Sequence, residues 1–184
     1  MPRCRARRKR QNKHMSAPFA QRLYLLRHFH ASPPMPGQSD FQRDLDTRGM
    51  LQARSLLAKT GTAGLEFSKV FSSPSARTRA TLRGMGIAED DSRIEFVDAL
   101  YDADEAVYYD LTCQGVQDGT LIVGHNPGME DFLISLCREV DGVPPAMAGG
   151  LSTGVLAVLQ VPRLAGAMRP GAARLEKLLL PDIA

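Results

Sequence analysis

The sequence predicts an α/β fold: a three-layer α/β/α sandwich on a mostly parallel central sheet, finished by a closing antiparallel edge strand. Three observations predict it. Short apolar, β-prone runs alternate with segments of helical period, the pattern of parallel strands joined by crossover helices. The chain has 184 residues, 43% hydrophobic and 23% charged, which suits one domain with a single sizeable core. Three of the apolar runs also end in the same way, in a polar turn marked by histidine, arginine, glycine or proline.

Residues 23–26 (LYLL), 69–72 (KVFS), 93–97 (RIEFV) and 120–123 (TLIV) read as the strands. Residues 47–59 carry Leu51, Ala53, Leu56 and Leu57 and run towards Gly61, a helix stop. Residues 74–84 read as a helix with Ser73 as N-cap and Pro74 at its first position. Residues 104–113 form a weaker helical pattern. In residues 129–140, Met129, Phe132, Leu133 and Leu136 stand at i, i+3, i+4 and i+7, an amphipathic face. Residues 154–161 and 174–180 read as two closing strands joined by a Pro/Gly-rich turn region. No apolar run approaches the ~20 residues of a membrane helix, so no membrane partner is expected.

The net charge of +3 divides unevenly. Residues 1–14, MPRCRARRKRQNKH, hold seven Lys/Arg and no acid, which leaves sixteen Lys/Arg against twenty Asp/Glu in the rest. Residues 1–18 are therefore set apart as a basic arm or a non-native leader, and 19–184 as a single domain. A basic arm can hold phosphate backbones or anionic lipid. This one has no aromatic interleaving and no attached reading module, so no nucleic-acid partner is expected, and a leader ahead of a start at Met15 is the plainer reading. It lacks the apolar stretch of a secretory signal. The cysteines Cys4, Cys113 and Cys137 form no C-x-x-C pair and no cluster with histidine. An odd count without a signal points to a reducing cytoplasm, with Cys113 and Cys137 as helix-borne core thiols.

The chemistry gathers where the strand runs end. LYLL is followed by Arg27-His28, KVFS by Ser73-Pro74-Ser75-Ala76-Arg77, and TLIV by Gly124-His125-Asn126-Pro127-Gly128. In an open parallel sheet, ligands sit at the carboxyl ends of the strands. One edge then collects two histidines, two arginines and two helix N-termini, whose free N–H groups favour an anion. Two guanidinium forks suit a tetrahedral oxyanion such as phosphate better than one carboxylate. Arg77, in the first turn of its helix, opposes the helix dipole, a placement that asks for a reason. Taken singly, each of these residues has an ordinary role at a surface or in a turn; their joint occurrence in this order is what points to a site.

The Arg-His at the first strand end, the S-S-P-x-x-R-T element over 72–78 and the later G-H-N-P resemble the histidine phosphatase (phosphoglycerate mutase-like) superfamily. The GHNPG turn, the LSTGVLAVLQV segment and Asp40-Phe-Gln-Arg43-Asp-Leu45 followed by Gly49 are most similar to its small SixA-like branch of phosphohistidine phosphatases. The resemblance runs from about residue 22 to 181. It implies a metal-independent, cofactor-free phosphatase in which His28 is the nucleophile and forms a phosphohistidine intermediate. Arg27, Arg77 and His125 would hold the phosphoryl oxygens, with His125 protonated beside the bound phosphate, and Arg43 would be a fourth contact. The implied substrate is a phosphohistidine-bearing protein. The alternatives are small phosphomonoesters, or a degenerate protein that binds phosphate without turnover.

Two departures from the family pattern bear on this. Glycine usually follows the catalytic histidine, whereas this chain has Phe29, which would either wall the pocket or pack under the following loop. No clear general acid stands out: Asp40, Asp102, Asp104 and Glu105 are the candidates. A P–N bond with an imidazole leaving group asks for less acid help than an alkoxide, which leans the reading towards phosphohistidine. His30 is expected to be a loop residue outside the site.

Overall fold

Across the residues described by the computed structural model (19–114, 116–137, 149–163 and 168–182), strands and helices alternate in the expected order. The elements are β1 (Phe19–Arg27), α1 (Thr47–Thr62), β2 (Lys69–Ser72), α2 (Ala76–Gly84), β3 (Ile94–Phe96), α3 (Glu105–Cys113), β4 (Thr120–Gly124), α4 (Gly128–Leu136), β5 (Leu156–Pro162) and β6 (Arg174–Leu179). Short 3-10 turns cover Asp40–Gln42 and Asp98–Leu100. The basic segment 1–18 and the expected continuation of the fourth helix over 138–140 lie outside the described residues.

The strand order is β3-β2-β4-β1-β5-β6. β1, β2, β3 and β4 are mutually parallel, β5 runs antiparallel to β1, and β6 pairs antiparallel with β5. From β1 the chain steps outwards to β2 and β3, then turns back to place β4 between β2 and β1. Parallel crossovers keep one hand, so reversing the direction of travel moves the helices to the other face of the sheet. That explains the three layers.

Two cores follow, one on each face. Strand side chains alternate between faces, and β1 shows it. Leu23 and Leu25 join Tyr108 and Leu111 of α3 and Met129, Phe132, Leu133 and Leu136 of α4. Tyr24 and Leu26 join Ala53 and Leu56 of α1 and Leu82 of α2 on the opposite side. The three leucines and the tyrosine of this run are at most 2% exposed. Each fully buried leucine contributes on the order of 1.5–3 kcal/mol, enough to keep β1 central and its end fixed.

Two local expectations are corrected. The second helix starts at Ala76, with Ser75 as its N-cap. The Ser73 N–H still bonds Val123 O at 3.1 Å and the Thr78 hydroxyl bonds Ser73 O at 2.6 Å, so Ser73 and Pro74 finish the strand and turn. Of the two described cysteines, Cys113 is exposed at the end of α3 and Cys137 is buried. α3 turns Tyr108, Leu111 and Thr112 inwards, which leaves position 113 on its outer side.

Candidate active site

β1, β4 and β2 lie side by side, so their carboxyl ends bring Arg27-His28, Gly124-His125 and the Ser73–Arg77 turn together. His28 N–H bonds Gly124 O at 3.2 Å, which ties the ends of β1 and β4. The His28 and His125 ring centroids are 5.0 Å apart. His28, His125, Arg27, Arg77 and Arg43 all gather around this edge.

The ring of His28 is held in one tautomer. Its Nδ1 lies 2.7 Å from Phe29 O, and a carbonyl only accepts, so Nδ1 carries the proton and Nε2 is a free lone pair. Burial, reinforced by the charges of Arg77, Arg27 and Arg43, pushes its pKa down to about 4 against the opposing pull of the Phe29 carbonyl. At neutral pH the ring is uncharged and lies among guanidinium groups.

His125 is 6% exposed. Arg77 Nε donates to its Nδ1 at 3.2 Å, so the neutral ring keeps its proton on Nε2, which donates to Ser73 Oγ at 2.9 Å. Burial, then the neighbouring His28 and Arg77, push His125 down to about 3. Without an anion it is neutral; an adjacent phosphate dianion acts in the opposite sense and favours the charged ring. Its backbone is clamped by the buried Tyr108 hydroxyl, which donates to His125 O and accepts from His125 N at 3.2 and 3.3 Å. A Cβ on Gly124 would stand 2.4 Å from that hydroxyl, so the glycine of G-H-N-P makes room for the clamp.

The arginines are fixed from behind. Arg27 Nη1 donates to Leu151 O at 2.7 Å, and its buried Nε has no hydrogen-bond partner among the described residues. Arg77 is 7% exposed; Nη1 reaches Asp40 O at 2.8 Å and Asp40 Oδ2 at 3.0 Å. Arg43 Nη1 holds Asp40 Oδ1 at 2.7 Å while its Nε donates to Ser32 O at 2.7 Å. Arg77 thus stands in an unfavourable dipole position because it belongs to this site.

Of the acid candidates, Asp40 alone contacts the arginines. Arg43, the Tyr101 hydroxyl (2.7 Å from Oδ2) and Arg77 hold its carboxyl well below the usual carboxylate range, so it is ionised at neutral pH. Asp102 and Asp104 line an adjoining cavity of about 230 Å³ that reaches His125, and Asp104 also caps α3 through Val107 N. Glu105 lies in the first turn of α3 and does not line that cavity. His30 stays outside the site, as expected, and bonds Asp46, the N-cap of α1, at 2.7 Å.

Phe29 does not wall the pocket. It is fully buried in the α1/α2 core, and its φ is not positive, so the position makes no demand for glycine. Sequence reasoning also missed supporting residues. Glu130 Oε2 accepts from Asn126 Nδ2 at 2.6 Å and Leu151 N at 3.0 Å, fixing the turn whose carbonyl holds Arg27. Ser73 and Tyr101 were missed as well. The Asn126/Glu130 spacing of four within one helical start was the only available signal.

The family match decides what this arrangement belongs to: residues 23–120 match the histidine phosphatase superfamily (branch 1). The chain belongs to that superfamily. Among solved structures, this histidine phosphatase is similar to a protein assigned as phosphohistidine phosphatase SixA from Agrobacterium tumefaciens. The two share 31% identity and a TM-score of 0.75, over 88% of this chain and 98% of that one. A protein given the same assignment from Nakamurella multipartitia shares 25% identity over 88% and 96% of the two chains, with a TM-score of 0.69. The protein histidine phosphatase SixA complexed with tungstate has the same fold, with TM-score 0.67 and 23% identity over 88% and 97%. A comparison with curated proteins gives no match. Membership supports a phosphatase hydrolase, and among the described residues no helix is long and apolar enough to cross a membrane.

Proposed function

We propose that this histidine phosphatase hydrolyses phosphohistidine on proteins through a phospho-His28 intermediate. The observation that carries the reading is the His28 ring: Nδ1 is committed to Phe29 O, which leaves an uncharged Nε2 facing a cationic anion seat. In the first step the P–Nε2 bond forms as the bond from phosphorus to the leaving nitrogen breaks. The departing imidazole keeps the electron pair and is neutralised by a proton. In the second step water attacks phosphorus, the P–Nε2 bond breaks, and His28 and inorganic phosphate are released.

Arg27, Arg77 and Arg43 supply the charge that offsets the transferring group, and His125 becomes a further cation once a dianion lies beside it. The Phe29 carbonyl also supports the N-phosphoryl ring, which is cationic while it keeps the Nδ1 proton. The choice of a P–N substrate rests on Asp40. Ionised between arginines, it is poorly suited to protonate an alkoxide, and an imidazole leaving group needs less help. The Agrobacterium tumefaciens protein, at 31% identity, carries the phosphohistidine phosphatase assignment, which agrees with this choice.

Incubation with a labelled phosphodonor tests the core. The expected result is an alkali-stable, acid-labile label on wild type that His28→Ala abolishes. No label on wild type, or full label on His28→Ala, sinks the reading. A panel of phosphohistidine peptide, phosphoserine peptide and sugar phosphate, compared by kcat/KM, then tests the substrate class. A preference for either ester overturns the phosphohistidine assignment while leaving the intermediate intact.

A further inference from the structure

We infer that Phe29 is a positioning residue, whose buried ring fixes the carbonyl that holds the His28 imidazole with Nε2 free. The inference rests on His28 being the nucleophile. The ring of Phe29 is 0% exposed, so it touches core residues and no substrate. Two glycines make space for it. A Cβ on Gly154 would stand 3.0 Å from Phe29 Cδ1, and one on Gly84, at the end of α2, would stand 3.4 Å from Cε2. The ring is therefore gripped between the end of α2 and the turn that enters β5, two elements separate from β1.

The backbone on either side of that ring is fully engaged. Phe29 N–H donates to Thr81 Oγ1 of α2 at 3.0 Å. Gly154 N–H reaches both Arg27 O and His28 O at 3.1 Å. His30 N–H donates to Gln52 Oε1 of α1 at 2.7 Å. Phe29 O accepts from His28 Nδ1 at 2.7 Å. A residue without a side chain at this position would leave the orientation of that carbonyl to the two peptide hydrogen bonds alone, with more conformational freedom in the segment. A nucleophile needs its lone pair held in line with phosphorus, and small misplacements cost large factors in rate. The ring of Phe29 supplies that constraint from the core side.

The test uses Phe29→Ala, Phe29→Leu and Thr81→Val in the full chain. Three readouts are taken: the single-turnover phosphorylation rate, the Kd for tungstate, and the ¹⁵N spectrum of the histidine rings. Phe29→Ala is expected to slow phosphorylation at least about tenfold, with tungstate Kd within about threefold of wild type. Its His28 signals should move from an Nδ1–H form to a mixture of tautomers. Phe29→Leu, which refills most of the volume, should return the rate to within about threefold. Thr81→Val, which frees the Phe29 N–H without emptying the core, should show the Phe29→Ala signature in weaker form.

A Phe29→Ala protein that binds tungstate normally and keeps both the rate and the Nδ1–H spectrum overturns the inference. Should Phe29→Ala fail to fold, Phe29→Val, which empties less of the core, takes its place, and an unchanged rate and spectrum there overturns the inference. The two readings fail separately. An unlabelled wild type defeats His28 as nucleophile, whereas the ring spectrum reports the positioning whether or not turnover occurs.

Discussion

Asp40 holds two arginines of the candidate site, with Arg43 at 2.7 Å, Arg77 at 3.0 Å and the Tyr101 hydroxyl at 2.7 Å from its carboxylate. In the proposed anion seat, a bound dianion shares those guanidinium groups with it and meets its negative charge. Asp40→Asn keeps the shape and the contact to Tyr101 while removing the charge. Inorganic phosphate, measured as a competitive inhibitor, should bind about three- to tenfold tighter, or ~0.7–1.4 kcal/mol. Turnover of an aryl phosphate should change less than about threefold, because an ionised Asp40 is not the proton donor. Weaker phosphate binding in Asp40→Asn would instead mean that the carboxylate serves mainly to hold the arginines in place. At this scale the sequence was informative about charge and uninformative about pairing. Arg27, His28, Arg77 and His125 were legible because each follows an apolar run. The clamp of Asp40 between Arg43 and Arg77 was not, since it joins three segments separated along the chain.

The elements were legible to within a few residues wherever local pattern decides them. α1, α3, β2 and β4 fall where caps and apolar runs place them. α2 begins later because the fate of Ser73 depends on Val123 in another strand, which no local signal reports. The position of β4 between β2 and β1 is likewise a tertiary fact, yet it is what brings His125 to His28. α4 shows how tightly that placement is built. A Cβ on Gly128, its first residue, would stand 2.0 Å from Ala103 O and 2.8 Å from Asp104 Cα, both backbone atoms of the segment leading into α3. Backbone cannot rotate away as a side chain can. Gly128→Ala should therefore cost about 2–3 kcal/mol, the upper part of the range for overpacking, read as a lower urea midpoint at unchanged m. Activity should fall as well, since His125 lies on the turn that Gly128 anchors. A stability loss below about 0.5 kcal/mol would show that the helix start moves freely.

For the whole molecule, two neutral histidines at one sheet edge couple the fold to pH. His28 is pushed down to about 4 and His125 to about 3, chiefly by burial, whereas an unfolded histidine titrates near 6.5. Below about 6.5 the unfolded chain takes up a proton at each position that the folded chain refuses, so stability falls as pH falls. The loss continues until the folded histidines themselves titrate, near pH 4 for His28 and near 3 for His125. With both contributing, the slope approaches about 2.7 kcal/mol per pH unit. Between about pH 6 and 5 it is clearest, because unfolded carboxylates bind few protons there. Urea unfolding at pH 7, 6 and 5 should show this loss, and His125→Gln should remove roughly half of its slope. Bound tungstate should flatten the limb too, because an anion beside His125 favours the protonated ring and lets the folded state accept a proton as well. An equal slope in wild type and His125→Gln would mean that solvent reaches the ring and that His125 titrates like an exposed histidine. The charged form would then be available before phosphate binds, and the cationic seat would be built in advance.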